Sequence, residues 1–550
     1  MIKKLLLLVM MHWVNTAISQ NNKDTIEFLK NTTALFNLEY SNAEVDSLKG
    51  SVFSFRNIYK NLHRQLPANN LRYPFAFDPA PTGTKIPVNQ KNINWKISSA
   101  ISLPENKNEL AFYSIKELAS LIKYKKISSV ELTKFFLDRL KKYGDTLESV
   151  ITITETLALE QAAKADEEIK KGKYRGPLHG IPYGLKDLFA VKGYKTTWGT
   201  TPYMNQVIDE DAFVYQKLRD AGAVLCAKLS LGSLAFNNKW FGGETKNPWD
   251  LQQGSSGSSA GSAASVVAGL LPFTIGTETL GSIISPSTRC GATGLRPTFG
   301  TVSRSGAMVL CWSLDKIGPI CRSAEDDAIV YYYIKGTDEK DAGAVNHAFN
   351  FDQTRKISDL KIAYAANYFR RLPADAAEWK VIETYKAMGA NVQAVEFPDS
   401  AIYPANLVTI ILLAESAAAF DELTRTNRDD LIERQDKGFW PNSWRAARMI
   451  PAVEYINANR HRYTLSENFQ SFMKNYDVVI VPTYAGNQLS ITNLTGNPAI
   501  CMPIGFNQTG HPLSITLLGN LYDEASILEA ARLFQDKTTH HKQQPALFKN

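Results

Sequence analysis

The chain has 550 residues, 44% of them hydrophobic and 21% charged, with a formal net charge of +7 at neutral pH. A chain this long can bury a large core, and 24 prolines spread through it without any long block of like charge exclude extensive disorder. So small a charge on so large a surface gives no electrostatic case for a nucleic-acid partner.

The chain opens with Lys3-Lys4, an apolar run from Leu5 to Met11, then Ala17-Ile18-Ser19. This is the order of a signal peptide over residues 1–19, and it predicts export, periplasmic or secreted, with cleavage near Ser19. The competing reading is the buried amphipathic start of a cytosolic protein. The apolar run is too short to span a bilayer and no cysteine follows it to accept a lipid, so no stable membrane anchor is expected. Residues 20–110 contain phrases such as AFDPAPTGTKIPVNQKN and read as loop between short helices, an N-terminal extension. A single larger domain is expected over 111–550.

From Ser114, SIKELASLIKYKKISSVELTKFFLDRLKKYG spaces its apolar residues by three and four and predicts two amphipathic helices, with TLALEQAAKADEEIKKGK continuing the helical character. GPLHGIPYGLKDLFAVKG reads as a turn leading into a buried strand, AGAVLCAKLS as a strand, and SVVAGLLPFTIG as helix passing into strand. LKIAYAAN and NVQAVEFP repeat the strand signature. A helical insertion is expected over Leu407–Phe420 and Asn442–Arg462. YDVVIVPT, PAICMPIGF and PLSITLLG then return to strand, ahead of a last helix at Glu524–Gln535. The alternation predicts an α/β fold, a mixed, mostly parallel central sheet covered by helices on both faces.

Five cysteines without CxxC spacing argue against a zinc site. Export would permit a disulfide among them, and buried free thiols are the alternative. The eight histidines, His179, His540 and His541 among them, show no H-x-x-x-H spacing and read as structural or solvated. No metal is expected.

The tract SSGSSAGSAAS at 255–265 offers three readings. Its Gly and Ser residues leave backbone N–H groups free to meet an anion, but GxxxxGK[ST] is absent and no lysine lies in the tract, so nucleotide binding is weakly supported. Gly257-Ser258-Ser259-Ala260-Gly261 matches G-x-S-x-G, yet the preceding KNPWDLQQ is polar and not the buried strand that a nucleophile elbow requires. A solvated linker is the third reading, and the apolar SVVAGLLPFTIG that follows speaks against it.

GPLHGIPYGLKD, NPWD, GSSAGSAASVVAGLLPFTIGTETLGSI, CGATGLRPTFG, YDVVIVPT, TGNPAICMPIGF and HPLSITLLG occur in one order. In these segments the chain resembles the amidase signature family from about Ser114 to the C-terminal helix, as a peptide amidase-like or fatty acid amide hydrolase-like member. The resemblance implies a Ser-cisSer-Lys triad with no metal or organic cofactor. Lys186 matches the family lysine and would have to be neutral to accept a proton, which requires a depressed pKa; taken alone, it reads equally as a solvated or ion-paired residue. Ser282 matches the nucleophile, with Thr279, Leu280, Gly281 and Ser282 supplying N–H groups for an oxyanion. Ser255, Ser256, Ser258 and Ser259 compete for the bridging role, and aligning GSSAGS with the family's GGSSGGS places the cis-serine at Ser258, with Ser259 as a supporting partner. A cis bond there would be a costly conformation held for function.

Two positions depart from the family pattern: Leu280 where a glycine is usual, and Ile284 where an arginine is common. Leu280 would narrow the space beside the substrate carbonyl, and a positive φ there would be costly. The loss of the arginine makes a small carboxylate-bearing substrate less expected, and Glu278 is expected to pair with Arg289 instead. Trp440 and Trp444 flank a segment suited to edging a funnel or to filling a helix core. The resemblance thus implies an exported amidase that hydrolyses a carbon–nitrogen amide bond of a small-molecule or peptide substrate through an acyl-enzyme. The alternatives are a non-catalytic binding relative and a glutamine-dependent tRNA amidotransferase component of the A type.

Overall fold

The computed structural model describes residues 24–36, 38–62, 64, 69, 75–399 and 406–549. The signal peptide expected at 1–19 lies outside them. The chain forms two compact units, divided between Ala68 and Asn69. In the first, a helix spans Asn42–Leu62, 21 residues and so longer than the short helices expected there.

In the second unit, Ser114 and Ser128 each start a helix with a reciprocal capping box, to Glu117 and Glu131, over Ile115–Lys123 and Ser129–Leu147. S-x-x-E before an apolar run is a start signal because serine and glutamate each satisfy a backbone N–H that the first helical turn leaves unpaired. Eleven strands form one sheet: β1 (Val150–Ile153), β2 (Pro182–Lys186), β3 (Val224–Leu229), β4 (Phe273–Glu278), β5 (Thr293–Arg296), β6 (Lys316–Cys321), β7 (Ile362–Ala365), β8 (Val392–Val395), β9 (Val478–Pro482), β10 (Ala499–Phe506) and β11 (Pro512–Gly519). Their order across the sheet is β1-β3-β2-β4-β6-β5-β10-β11-β9-β7-β8. The sheet is mixed, as expected, but parallel pairing is confined to β3-β2-β4 and to β9-β7-β8. The six remaining neighbour pairs are antiparallel, so parallel strands do not predominate. Of the six, only β10-β11 is a hairpin with a short loop, for which antiparallel pairing is the natural outcome; the other five join strands from separate segments of the chain.

Alternation along the strands places apolar side chains on both faces. Val478, Ile480, Ile500 and Met502 join one core with Ile527, Leu528 and Phe534 of the helix Glu524–Lys537. Their neighbours Val479, Val481, Ala499 and Cys501 join a second core with Ile411, Leu465 and Phe469 of the helices Leu407–Ala419 and Ala452–Met473. Helices therefore cover both faces of a sheet buried throughout its middle.

The stretch expected as an extension over 20–110 divides at Ala68/Asn69. Beyond it, Trp95 is buried against Phe351 (ring centroids 5.9 Å) and Tyr332 (5.8 Å), within the larger unit. The second expected insertion helix is broken: Trp440–Ala447 ends ahead of Pro451, which stands at the start of Ala452–Met473. Proline suits a helix start because it has no N–H to lose there. Trp440 and Trp444 are buried and stack on one another at 5.3 Å, with Trp444 stacked on Phe420 at 5.0 Å, so they fill a helix core. All five cysteines are buried free thiols. Among the described residues no helix is long and apolar enough to cross a membrane.

Candidate active site

The parallel strands β2 and β4 end side by side, with Leu185 opposite Ile275, and antiparallel β6 begins at the same edge, with Lys316 opposite Glu278. Strand ends in such sheets are where backbone and side chains become available to a ligand. Lys186 is the last residue of β2 and is fully buried. Its Nζ lies 2.7 Å from Ser258 Oγ, 3.2 Å from Ser259 Oγ and 2.8 Å from Thr277 Oγ1. Among the described residues no carboxylate pairs with it. The adjacent Asp187 is taken by Lys228 (2.7 Å) and by the Thr197 N–H (2.8 Å). Burial therefore pushes the Lys186 ammonium down to about 7, against the more distant Asp315 and Glu278 carboxylates, which pull it up. The positive end of the helix Ala260–Val267, which begins after Ser259, acts in the same direction as burial.

The Gly257–Ser258 peptide bond is cis. Gly257 is required by close approach, since a Cβ there would run into the Asn237 carbonyl oxygen. Ser259 closes the turn: its Oγ donates to the Thr277 carbonyl (3.1 Å) and accepts from the Thr277 N–H (3.1 Å). Its own N–H donates to the Ser282 carbonyl at 3.1 Å, which brings the Ser258-Ser259 turn against Ser282. Of Lys186, Ser258, Ser259 and Ser282, only Ser282 keeps any exposure, 8% against 0% for the others.

Residues 279–283 form the turn between β4 and the helix Ile284–Cys290. Within it, the N–H groups of Leu280, Gly281 and Ser282 find no acceptor among the described residues, whereas those of Ile283 and Ile284 both donate to Glu278 Oε2 at 3.0 Å. The left-handed backbone falls on Gly281 (φ 86°) and not on Leu280, so the conformational cost expected at Leu280 does not arise. Leu280 and Ile284 both pack in the second core with Leu489, Ile491 and Leu494, so apolar contacts occupy these two positions.

The expected Glu278–Arg289 pair is not formed. Glu278 is fully buried and takes Arg296 Nη1 at 2.9 Å and Asn493 Nδ2 at 2.9 Å. Arg296 ends β5, two strands from β4, and shares the buried interior with Glu278, while Arg289 is half-buried on the helix Ile284–Cys290. Burial pushes the Glu278 carboxyl up, but Arg296 and Lys316 outweigh it and hold the group down at about 2. Its folded value is depressed, so the stabilisation is present above the ordinary carboxylate value and is lost as pH falls toward about 2. Glu278→Ala would strand a buried guanidinium and is expected to cost about 3–5 kcal/mol, read as a lowered denaturant midpoint.

Beside Thr277 and Thr279 lies a cavity of about 70 Å³, walled by Leu188, Met308, Leu310 and Ile317 and rimmed by Arg304 and Asp341. The rim pair is closed on itself: Arg304 Nε and Nη2 meet Asp341 at 2.7 and 2.6 Å. Lys316, fully buried at the same edge, is pushed down to about 7 by burial and by Arg296, against Glu278 and Asp315. Among the described residues no three His, Cys, Asp or Glu side chains gather as a metal site. Sequence reading missed Thr277, Arg296, Asp315 and Lys316. Only Thr277 had a local signal, as an inward position of the strand that precedes the turn.

The structure thus brings Lys186, Ser258, Ser259 and the 279–282 turn to one sheet edge. A family model described as Amidase matches residues 131–491. The A-type component of glutamyl-tRNA(Gln) amidotransferase from Coxiella burnetii (strain Dugway 5J108-111) is 34% identical over 481 residues, spanning 79% of this chain and 99% of that one. Native peptide amidase from Stenotrophomonas maltophilia superposes with a TM-score of 0.69 at 27% identity, over 78% of this chain and 98% of its own. The A-type component of glutamyl-tRNA(Gln) amidotransferase from Thermotoga maritima gives 0.65 at 25% identity, over 78% and 96%. With a family model matched over more than half its length, the chain belongs to the amidase family, as an enzyme acting on amide carbon–nitrogen bonds.

Proposed function

We propose that the enzyme hydrolyses its amide through Ser282 as nucleophile, Ser258 as proton relay and Lys186 as base. The observation that carries this reading is the buried Lys186, in contact with three hydroxyls and held near neutrality. With Nζ neutral, the 2.7 Å contact runs from the Ser258 hydroxyl to the nitrogen lone pair, and Ser258 in turn takes the Ser282 proton. The Ser282 oxygen adds to the amide carbonyl, and the oxyanion takes N–H bonds from the 279–282 turn. Collapse breaks the C–N bond, the amine leaves with the proton returned along the relay, and water then hydrolyses the ester on Ser282. Ser259 supports the relay by fixing its turn to Thr277.

The apolar wall of Leu188, Met308, Leu310 and Ile317, with Arg304 and Asp341 paired to one another, favours a largely apolar group beside the scissile bond. Purified mature protein is expected to release amine or ammonia from at least one class among peptide amides, fatty amides and aryl amides. Flat traces for all three from folded protein would favour a non-catalytic relative. The 34% identity to the A-type component of an amidotransferase supports a second reading, release of ammonia from glutamine for a partner protein. Hydrolysis confined to glutamine would decide for it. Export is proposed from the Lys3-Lys4 and Leu5–Met11 order; a mature N-terminus far from Gln20 would count against it.

A further inference from the structure

We infer that Asp315 is a positioning residue for catalysis: through Thr279 it holds the turn that receives the oxyanion. The inference rests on the proposed role of Ser282 and the 279–282 turn. Asp315 stands at the cavity wall just before β6. Its Oδ1 accepts from Thr279 Oγ1 at 2.5 Å, and its Oδ2 from the N–H groups of Leu310 and Cys311 at 2.8 and 3.0 Å. One carboxylate therefore ties the first residue of the turn to the wall of the cavity. The far end of the turn is tied by a second carboxylate, Glu278, on Ile283 and Ile284.

The wall itself has a firm backing. Glu415 accepts from the Ser313 N–H (2.9 Å), the Ser313 hydroxyl (2.7 Å) and Cys311 Sγ (3.1 Å). Arg462 reaches the Ser313 hydroxyl and carbonyl at 2.9 and 2.8 Å. A donor set aimed at a developing charge works only if it is held in place beforehand, and Asp315 joins that set to the wall segment that Glu415 and Arg462 hold. Its charge has a second consequence. Asp315 and Glu278 are the carboxylates that act on Lys186, while Arg304, Lys186 and Lys316 are the cations that bear on Asp315. Removing the Asp315 charge lowers the pH at which Lys186 becomes neutral.

Three variants separate link from charge, read by the second-order rate of fluorophosphonate inactivation across pH, which needs no knowledge of the natural substrate. Thr279→Val removes the link alone, Asp315→Asn chiefly the charge, and Asp315→Ala both. Thr279→Val is expected to react about 10- to 100-fold more slowly with the acid limb unmoved. Asp315→Asn is expected to move that limb to lower pH with a smaller loss of rate, and Asp315→Ala to do both. Thr279→Val and Asp315→Ala within twofold of wild type, with unmoved limbs and wild-type unfolding midpoints, overturn the inference alone. A wild type that does not react overturns the Ser282 reading, and this inference with it.

Discussion

Ser282→Ala is expected to lower amide turnover by about 10⁵-fold while leaving the unfolding midpoint near that of wild type. The side chain lost is one small hydroxyl, and the backbone contact from the Ser259 N–H to the Ser282 carbonyl does not depend on it. The oxyanion donors at Leu280 and Gly281 remain, so substrate binding changes little and the loss falls on kcat. Turnover above a hundredth of wild type in Ser282→Ala would move the nucleophile elsewhere.

Lys186→Met is the second large effect, an expected loss of about 10³-fold with the acid limb of the pH profile abolished. Lys186 works as a base only when neutral, and burial has brought its pKa to about 7. In wild type, kcat/KM is therefore expected to rise as pH increases through about 7 and to level off above it. Methionine fills the same buried space and leaves Ser258, Ser259 and Thr277 without their common partner, so some loss of stability accompanies the kinetic change. Because relay, base and nucleophile act as a unit, Lys186→Met combined with Ser282→Ala is expected to be no slower than Ser282→Ala alone. A wild-type profile flat from pH 5 to 9 would contradict the assignment of the base.

The parts of the fold that were legible were those with a strong local pattern. VVIVP at 478–482 and ITLLG at 515–519 are continuous apolar runs that only a strand buried on both faces can use, and both became central strands. By contrast β6, KIGPIC, carries Gly318 and Pro319, which read as breakers, yet it pairs on both sides because its partners β4 and β5 are already in place. The edge strand β1, four half-buried residues, falls between the two stretches with a helical pattern and is too short to show an alternation of its own. In the site, ordered motif segments marked Lys186, Ser258 and Ser282, but single polar residues from distant segments left no periodic trace. Arg296 as the partner of Glu278, and Asp315 as the partner of Thr279, depend on which strands lie side by side. That is a property of the sheet order, which the local pattern did not contain.

The central claim is that Ser282, activated through Ser258 by neutral Lys186, carries the acyl group. The most direct measurement is mass-spectrometric mapping of the fluorophosphonate adduct on digested wild-type protein, labelled at pH 6 and pH 8. The account predicts a single adduct on Ser282, formed faster at pH 8. An adduct on Ser258 or Ser259, or labelling of Ser282 at equal rates at the two pH values, would contradict it.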